Sequence, residues 1–175
     1  WQEINEKLYE YCIFFVYMLL FHHTEITILK GKIMQIDIII PHYIGTHFLS
    51  DALKSIIPAI SPEDDVRYNI LLIVDNSIGK ELKDIPGFTH PTDEENRNDI
   101  KKLIAETVFG SHINVKTIYP SDRQTVASLR NLGLKHADGD YVYFMDSDDY
   151  LYPQALSHLA LKARETDADI IHGAF

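Results

Sequence analysis

Between residues 36 and 145 the chain alternates short apolar runs with amphipathic stretches, and this alternation restricts the fold more than any other feature. Ile36-Asp37-Ile38-Ile39-Ile40 is a β-branched run closed by Pro41, the pattern of a short buried strand. Leu49, Ala52, Leu53, Ile56 and Ile57 then fall at i, i+3, i+4, i+7 and i+8, one apolar helical stripe that Pro58 ends. Asn69 to Val74 is apolar without alternation, as in a strand covered on both faces, and stops at Asp75. Residues 78–97 hold Gly79, Pro86, Gly87, Pro91 and many charges and read as a long surface excursion. Beyond it Ile100, Leu103, Ile104 and Val108 share a helical face, Gly110 serves as a C-terminal cap, and Ile113 to Ile118 alternates as a third strand. Val126, Leu129 and Ala137 recur on the next helix, Gly139 lies in the turn after it, and Tyr141 to Met145 forms a fourth strand. Pro153 opens a last helix carrying Leu156, Leu159, Ala160 and Ala163, and Ala168 to Ala174 is strand-like again.

The order β-α-β-α-β-α-β-α-β predicts an α/β fold: a mostly parallel sheet flanked by helices, with ligands outside the carboxyl ends of the strands. A chain of 175 residues, 46% hydrophobic and 24% charged, can bury one good core, which excludes collagen, coiled coil and wholesale disorder. The net charge of −10, with no basic cluster, excludes nucleic acid as a partner. The single Cys12, in an apolar run, excludes an intramolecular disulfide and a multi-cysteine zinc site, and reads as a buried thiol in a reducing compartment.

Residues 1–33 differ in character from the rest. The chain begins with Trp1 and stops at Phe175 just after a strand-like run, so it reads as a fragment, incomplete at its carboxyl end. The apolar run Tyr11 to Phe21 is too short to span a membrane and lacks the basic start and cleavage site of a signal peptide. Three readings stand for this extension: a packing helix, foreign or leader sequence ahead of a true start at Met34, or a membrane-surface segment. The domain proper is expected over residues 34–175.

The chemistry concentrates at three predicted strand ends: Pro41-His42-Tyr43, Asp75-Asn76-Ser77 and Asp146-Ser147-Asp148-Asp149. Three carboxylates in four residues repel one another unless a cation or hydrogen-bond donors compensate, and Mg²⁺ or Mn²⁺ is the economical answer. The alternative is a solvated turn that caps the helix from Pro153. An EF-hand fails because its sixth position, counted from Asp146, is Leu151 instead of Gly. The first strand-to-helix turn lacks the glycine spacing of a Walker loop or dinucleotide fingerprint, so phosphate would need the metal and a side-chain cation such as Arg130. His22, His23, His47 and His112 show no ligand spacing, and His90 and Asp93 read as solvated.

The stretch from Ala127 to Asp149, with Arg130-Asn131-Leu132-Gly133-Leu134, Ala137-Asp138-Gly139 and Asp146-Ser147-Asp148-Asp149, resembles the family 2 glycosyltransferases of GT-A (Rossmann-like) fold. Ile38 to Tyr43 and Val74 to Ser77 match that family's other nucleotide-contacting segments in order, so the resemblance covers residues 36–175. It implies that Asp75 hydrogen-bonds the nucleobase, usually uracil, with Pro41 and Tyr43 lining its pocket. It also implies that Asp148 ligates Mn²⁺ or Mg²⁺, that Asp146 contacts the ribose or the metal, and that Arg130 reaches the nucleotide. Asp149 is left between a supporting role and helix capping, while Asn131 and Gly133 are read as keeping helix and sheet close. Ile44 and Val74 depart from the Asn and Asp of many relatives.

The implied activity is metal-dependent, inverting transfer of a sugar from a nucleotide-diphosphate sugar, UDP-sugar favoured, to an acceptor hydroxyl. Saccharide or lipid-linked acceptors in cell-surface polysaccharide or glycoconjugate synthesis are implied with it. The catalytic base is expected beyond Phe175, and Asp167 and Asp169 are not assigned to it. The alternatives are a non-catalytic nucleotide-sugar-binding fragment and, behind it, a nucleotidyltransferase. The expected location is cytoplasmic, with the inner membrane face left open by the apolar amino-terminal run.

Overall fold

The computed structural model describes residues 16–17, 33–43, 45–63, 65–75 and 92–173. Cys12, His22, His23, Ile44, Asn76, Ser77, His90 and most of the 78–97 excursion lie outside the described residues, as does the Tyr11 to Phe21 run apart from the backbone of Val16–Tyr17. The elements are β1 (Val16–Tyr17), β2 (Met34–His42), α1 (Thr46–Ala59), β3 (Val66–Val74), α2 (Asp93–Glu106), β4 (Ile113–Ile118), α3 (Val126–His136), β5 (Tyr141–Phe144), α4 (Ala155–Thr166) and β6 (Ile170–Ile171). β4, β3, β2 and β5 form, in that order, a parallel four-stranded sheet. The parallel α/β architecture expected from the alternation is therefore present. The strand-like run after Ala168 gives only two paired residues, which join β1 antiparallel instead of extending the main sheet.

Side-chain parity divides the core into two layers. Ile36, Ile38 and Ile40 of β2 pack with Tyr68, Ile70 and Leu72 of β3 under Leu49, Leu53 and Ile56 of α1, Ile100 of α2 and Leu156 and Ala160 of α4. Ile39, Leu71, Ile73 and Val142 point the other way, onto Leu129 of α3. One helix thus covers one face and three cover the other, and each strand alternates between them. Both faces of the sheet being covered explains the apolar runs without alternation.

Several boundaries differ from expectation. Pro41 does not end the first strand but sits within it, in register with Ile73. The ladder from β2 to β5 stops at Ile39 opposite Phe144, so Pro41 lies past it and its missing N–H breaks no bond on that side. α2 begins at Asp93, inside the stretch read as an excursion, because Thr92 and Glu95 form a capping box in which Glu95 N–H donates to Thr92 Oγ1 at 3.2 Å and Thr92 N–H to Glu95 Oε2 at 2.7 Å. Its C-cap is Thr107, not Gly110, which leaves Val108 off the helix and 85% exposed rather than on its apolar face. Val126, expected on the apolar stripe of α3, is exposed in its first turn.

Two close approaches set the geometry of α3. A Cβ on Gly133 would stand 2.4 Å from Ile39 Cγ2, so only glycine lets the helix lie this near β2; Asn131, by contrast, is exposed and takes no part in the packing. At the end of the helix the chain turns through Asp138 and Gly139, whose N–H groups donate to Asp37 Oδ2 at 2.7 and 2.8 Å. The same fully buried carboxylate accepts Asn69 Nδ2 of β3 at 2.8 Å. Asp37, read from sequence only as part of a β-branched run, is a buried clasp between β2, β3 and the entry to β5. Asp37→Ala strands three donors, that of Gly139 fully buried, and we expect it to lower the unfolding free energy by about 3 kcal/mol in urea titration. Gly133→Ala should cost roughly 1–3 kcal/mol by the same measurement, through displacement of α3.

Candidate functional site

The parity of the strands decides which side chains meet at the carboxyl edge of the sheet. Counting on from Ile39, Ile73 and Val142 on the α3 side brings Pro41, Asp75 and Asp146 to that same side, with Tyr43 continuing from β2. Two bonds from the α3 region bear this out. Gln124 N–H, just before the helix, donates to Asp75 Oδ2 at 3.1 Å, and Arg130 Nη2 donates to Asp146 Oδ1 at 2.6 Å. Residues far apart in sequence are thus gathered at one edge: Pro41, Asp75, Arg130 and Asp146, with Tyr43 in the segment just after β2.

Their environments differ. Asp75 is 1% exposed and its own N–H donates to the His42 carbonyl at 2.9 Å, so both its backbone and its carboxylate are held. The Arg130–Asp146 pair is half-exposed, and water screening limits its contribution to stability to about 1 kcal/mol or less; its effect is to orient both groups. Arg130 Nε is buried without a partner among the described residues. Asp148 is exposed, and Asp149, in a turn whose N–H donates to the Asp146 carbonyl at 3.2 Å, is half-buried. Burial, followed by the charges of Asp146 and Asp148, pushes the Asp149 carboxyl above the usual aspartate range.

This local excess of negative charge suits a hard cation. Among the described residues no three His, Cys, Asp or Glu side chains converge as a ready-made cage, so one or two carboxylates would hold the ion and a ligand's oxygens would complete its shell. Asp167 and Asp169 are elsewhere. Burial first, and then Asp167, Asp140 and Asp169, raise the pKa of Tyr141, which places these acids at the amino end of β5, opposite Asp146. An apolar cleft lined by Ile36, Tyr143, Leu156 and Ala160 lies beneath α4, on the face away from these residues.

One contact escaped sequence reasoning, and His42, named there within Pro41-His42-Tyr43, is turned away from the site. Gln124 acts through its main chain, and no side-chain pattern announces a main-chain donor. His42 alternates onto the α1 side, 1% exposed with both ring nitrogens unpartnered among the described residues, and burial lowers its pKa to about 4. It belongs to the core beneath the site.

Residues 92–175 match the family described as Glycosyl transferase family 2. A poly(ribitol-phosphate) beta-glucosyltransferase of Bacillus spizizenii is 29% identical over 140 residues, 80% of this chain and 19% of that protein. The poly(ribitol-phosphate) beta-N-acetylglucosaminyltransferase TarP of Staphylococcus aureus is 44% identical over 46 residues, 26% of this chain and 14% of its own. Among solved structures, S. aureus TarS in complex with UDP-GlcNAc superposes with a TM-score of 0.55 at 19% identity, over 77% of this chain and 32% of that one. A mannosyltransferase from Pyrobaculum calidifontis, in complex with GDP-Man and Mn²⁺, gives 0.50 at 16% identity, over 73% of this chain and 31% of its own. Its carboxyl-terminal half, residues 92–175, thus matches glycosyl transferase family 2, and the fold is the GT-A fold of TarS, as the motif order suggested. It spans about a fifth of the length of the curated glucosyltransferase it matches. Among the described residues no helix is long and apolar enough to cross a membrane.

The buried histidine gives a pH test. The unfolded chain takes up a proton near pH 6.5 while the native state resists until about pH 4, so His42 contributes its full stability above 6.5 and loses it as pH falls toward 4. We expect an acid loss of roughly 2 kcal/mol from this group, absent in His42→Leu, when urea midpoints are compared between pH 7 and 4.5.

Proposed function

We propose that this chain is the donor-binding part of a metal-dependent, inverting glycosyltransferase that uses a UDP-sugar. The observation that carries the reading is the gathering of Pro41, Asp75, Arg130 and Asp146 on the α3 side of the sheet's carboxyl edge, with Tyr43 following β2 and Asp148 following Asp146 in the chain. Asp75 is the base-recognising residue, with Pro41 and Tyr43 as the walls of its pocket. Asp146 faces the ribose or the metal, and Arg130 holds it in place. Arg130 Nε, buried and unpartnered among the described residues, supports a role for that guanidinium toward an incoming anion, since a stranded donor is costly unless a ligand satisfies it.

Asp148 would hold Mn²⁺ or Mg²⁺, with Asp146 beside it. When bound, the cation supplies charge neutralisation for the departing diphosphate. Arg130 adds a fixed positive charge on the same leaving group, the kind of preorganised electrostatics that counts most where charge develops. The acceptor hydroxyl must lose a proton as it attacks, which requires a positioned base. Asp167 and Asp169, at the far end of β5, are not placed for that step. The relatives named for poly(ribitol-phosphate) and the TarS complex with UDP-GlcNAc support a UDP-linked donor and a polyol-phosphate or saccharide acceptor of cell-surface glycopolymer synthesis. The place of work would be the cytoplasmic side of a membrane, where nucleotide sugars are made.

Thermal unfolding tests this reading. UDP at about 100-fold above its Kd, with Mn²⁺, should stabilise the chain by about 2.7 kcal/mol, a rise in Tm of roughly 5–10 °C. Chelator or Asp148→Ala should remove the shift, and Asp75→Ala should erase the distinction between UDP and GDP. A cooperatively melting chain that shows no shift with any nucleotide would sink the proposal.

A further inference from the structure

We propose that the main-chain N–H of Gln124 is a positioning group that makes the site selective for a base carrying a ring N–H, as uracil does, over one presenting a ring acceptor there, as cytosine does. The inference rests on the reading of Asp75 as the base-recognising residue. A carboxylate accepts from the uracil imide N–H and repels the cytosine lone pair, but only while one of its oxygens stays turned toward the base. The Gln124 bond to Asp75 Oδ2, at 3.1 Å, supplies that restraint from a segment 49 residues away in sequence. Turning the carboxylate would cost this bond at a residue that is 1% exposed.

The donor is itself held. Gln124 directly precedes Thr125, the N-cap of α3, whose Oγ1 accepts Ser128 N–H at 3.2 Å, and the Gln124 side-chain Nε2 donates to the Asp122 carbonyl at 3.3 Å. From the other side, Asp75 N–H is fixed on the His42 carbonyl at 2.9 Å. Backbone and carboxylate are therefore anchored to different elements, β2 and the start of α3, which leaves little freedom for the carboxylate to reorient. A site built to pair one hydrogen bond discriminates strongly against an analogue that cannot make it.

The test measures UDP and CDP affinity, each with Mn²⁺, in the 175-residue chain and its variants. Gln124→Pro removes the N–H; Gln124→Ala keeps it. Gln124→Pro should reduce the preference for UDP over CDP by about tenfold through weaker UDP binding, with CDP little changed, while Gln124→Ala retains the full preference. A Gln124→Pro protein with undiminished preference, or one that loses both nucleotides equally, overturns the proposal. Should the proline variant not melt cooperatively, an ester in place of the amide at position 124 removes the same hydrogen and is judged by the same outcomes. Asp75→Asn separates the two levels of inference. If it keeps the preference, or the unmodified chain has none, the base-reading role of Asp75 fails and this proposal with it. If Asp75→Asn loses the preference and the position 124 variants do not, this proposal alone fails.

Discussion

The Asp37 carboxylate, buried in the middle of the sheet, holds together parts of the chain that sequence keeps far apart. It accepts from β3 through Asn69 and from the Asp138–Gly139 turn about a hundred residues later, and so fixes where β5 enters beside β2. Gln35 adds to the clasp, its N–H donating to Asp140 Oδ2 at 2.9 Å and its side chain to Asp138 Oδ1 at 2.8 Å. This matters at the opposite end of the sheet because a strand's side chains alternate. A slip of one residue in β5 would turn Asp146 away from α3 and bring Met145 to the site in its place. The polar clasp at the amino end of the sheet therefore fixes which carboxylate reaches the carboxyl end. Gly139 belongs to the same constraint, since a Cβ there would stand 2.9 Å from the Asp37 carboxyl carbon.

Electrostatics impose a second constraint. A chain of net charge −10 that binds a nucleoside diphosphate must overcome both its own field and the ligand's charge. The local arrangement fits that need: one guanidinium paired to Asp146, an exposed Asp148, and an Asp149 whose carboxyl is already pushed toward protonation by burial and its neighbours. Arg130 offsets only one of these charges. A divalent cation would relieve the remaining repulsion and the repulsion of the ligand together, which would couple donor and metal binding in the proposed site.

Much of this was legible in the sequence, because apolar periodicity reports which faces are covered. The stripe at Leu49, Ala52, Leu53 and Ile56 and the unbroken run through Val74 are direct imprints of burial, and both appear as expected. The strand ends were legible for the same reason, since polar residues interrupt those runs where the strands stop. What escaped was polar and local. The capping box at Thr92 was hidden by surrounding charges that read as loop, and Val108 followed the apolar spacing although the helix had already ended. Asp37 lay inside a β-branched run, where a single acid reads as an interruption; its partners at Asn69 and Gly139 become visible only in three dimensions. Gln124 contributes a main-chain atom, for which side-chain identity carries no signal.

The two halves of the candidate site share one support. The segment leading into α3 holds Asp75 through Gln124, and the helix itself holds Asp146 through Arg130 six residues later. Thr125 caps the helix that carries Arg130, so the restraints on both carboxylates start from one regular element. The height of that element above the sheet is set in turn by Gly133, where the helix comes so near Ile39 that no side chain fits. A change that lifted α3 would therefore move the restraints on Asp75 and Asp146 together. The proposed base-recognition and diphosphate-binding parts of the site would in this sense be mechanically one unit. Their joint dependence on a close helix–sheet contact explains why a glycine stands there, at a cost in helix propensity of roughly 1 kcal/mol relative to alanine.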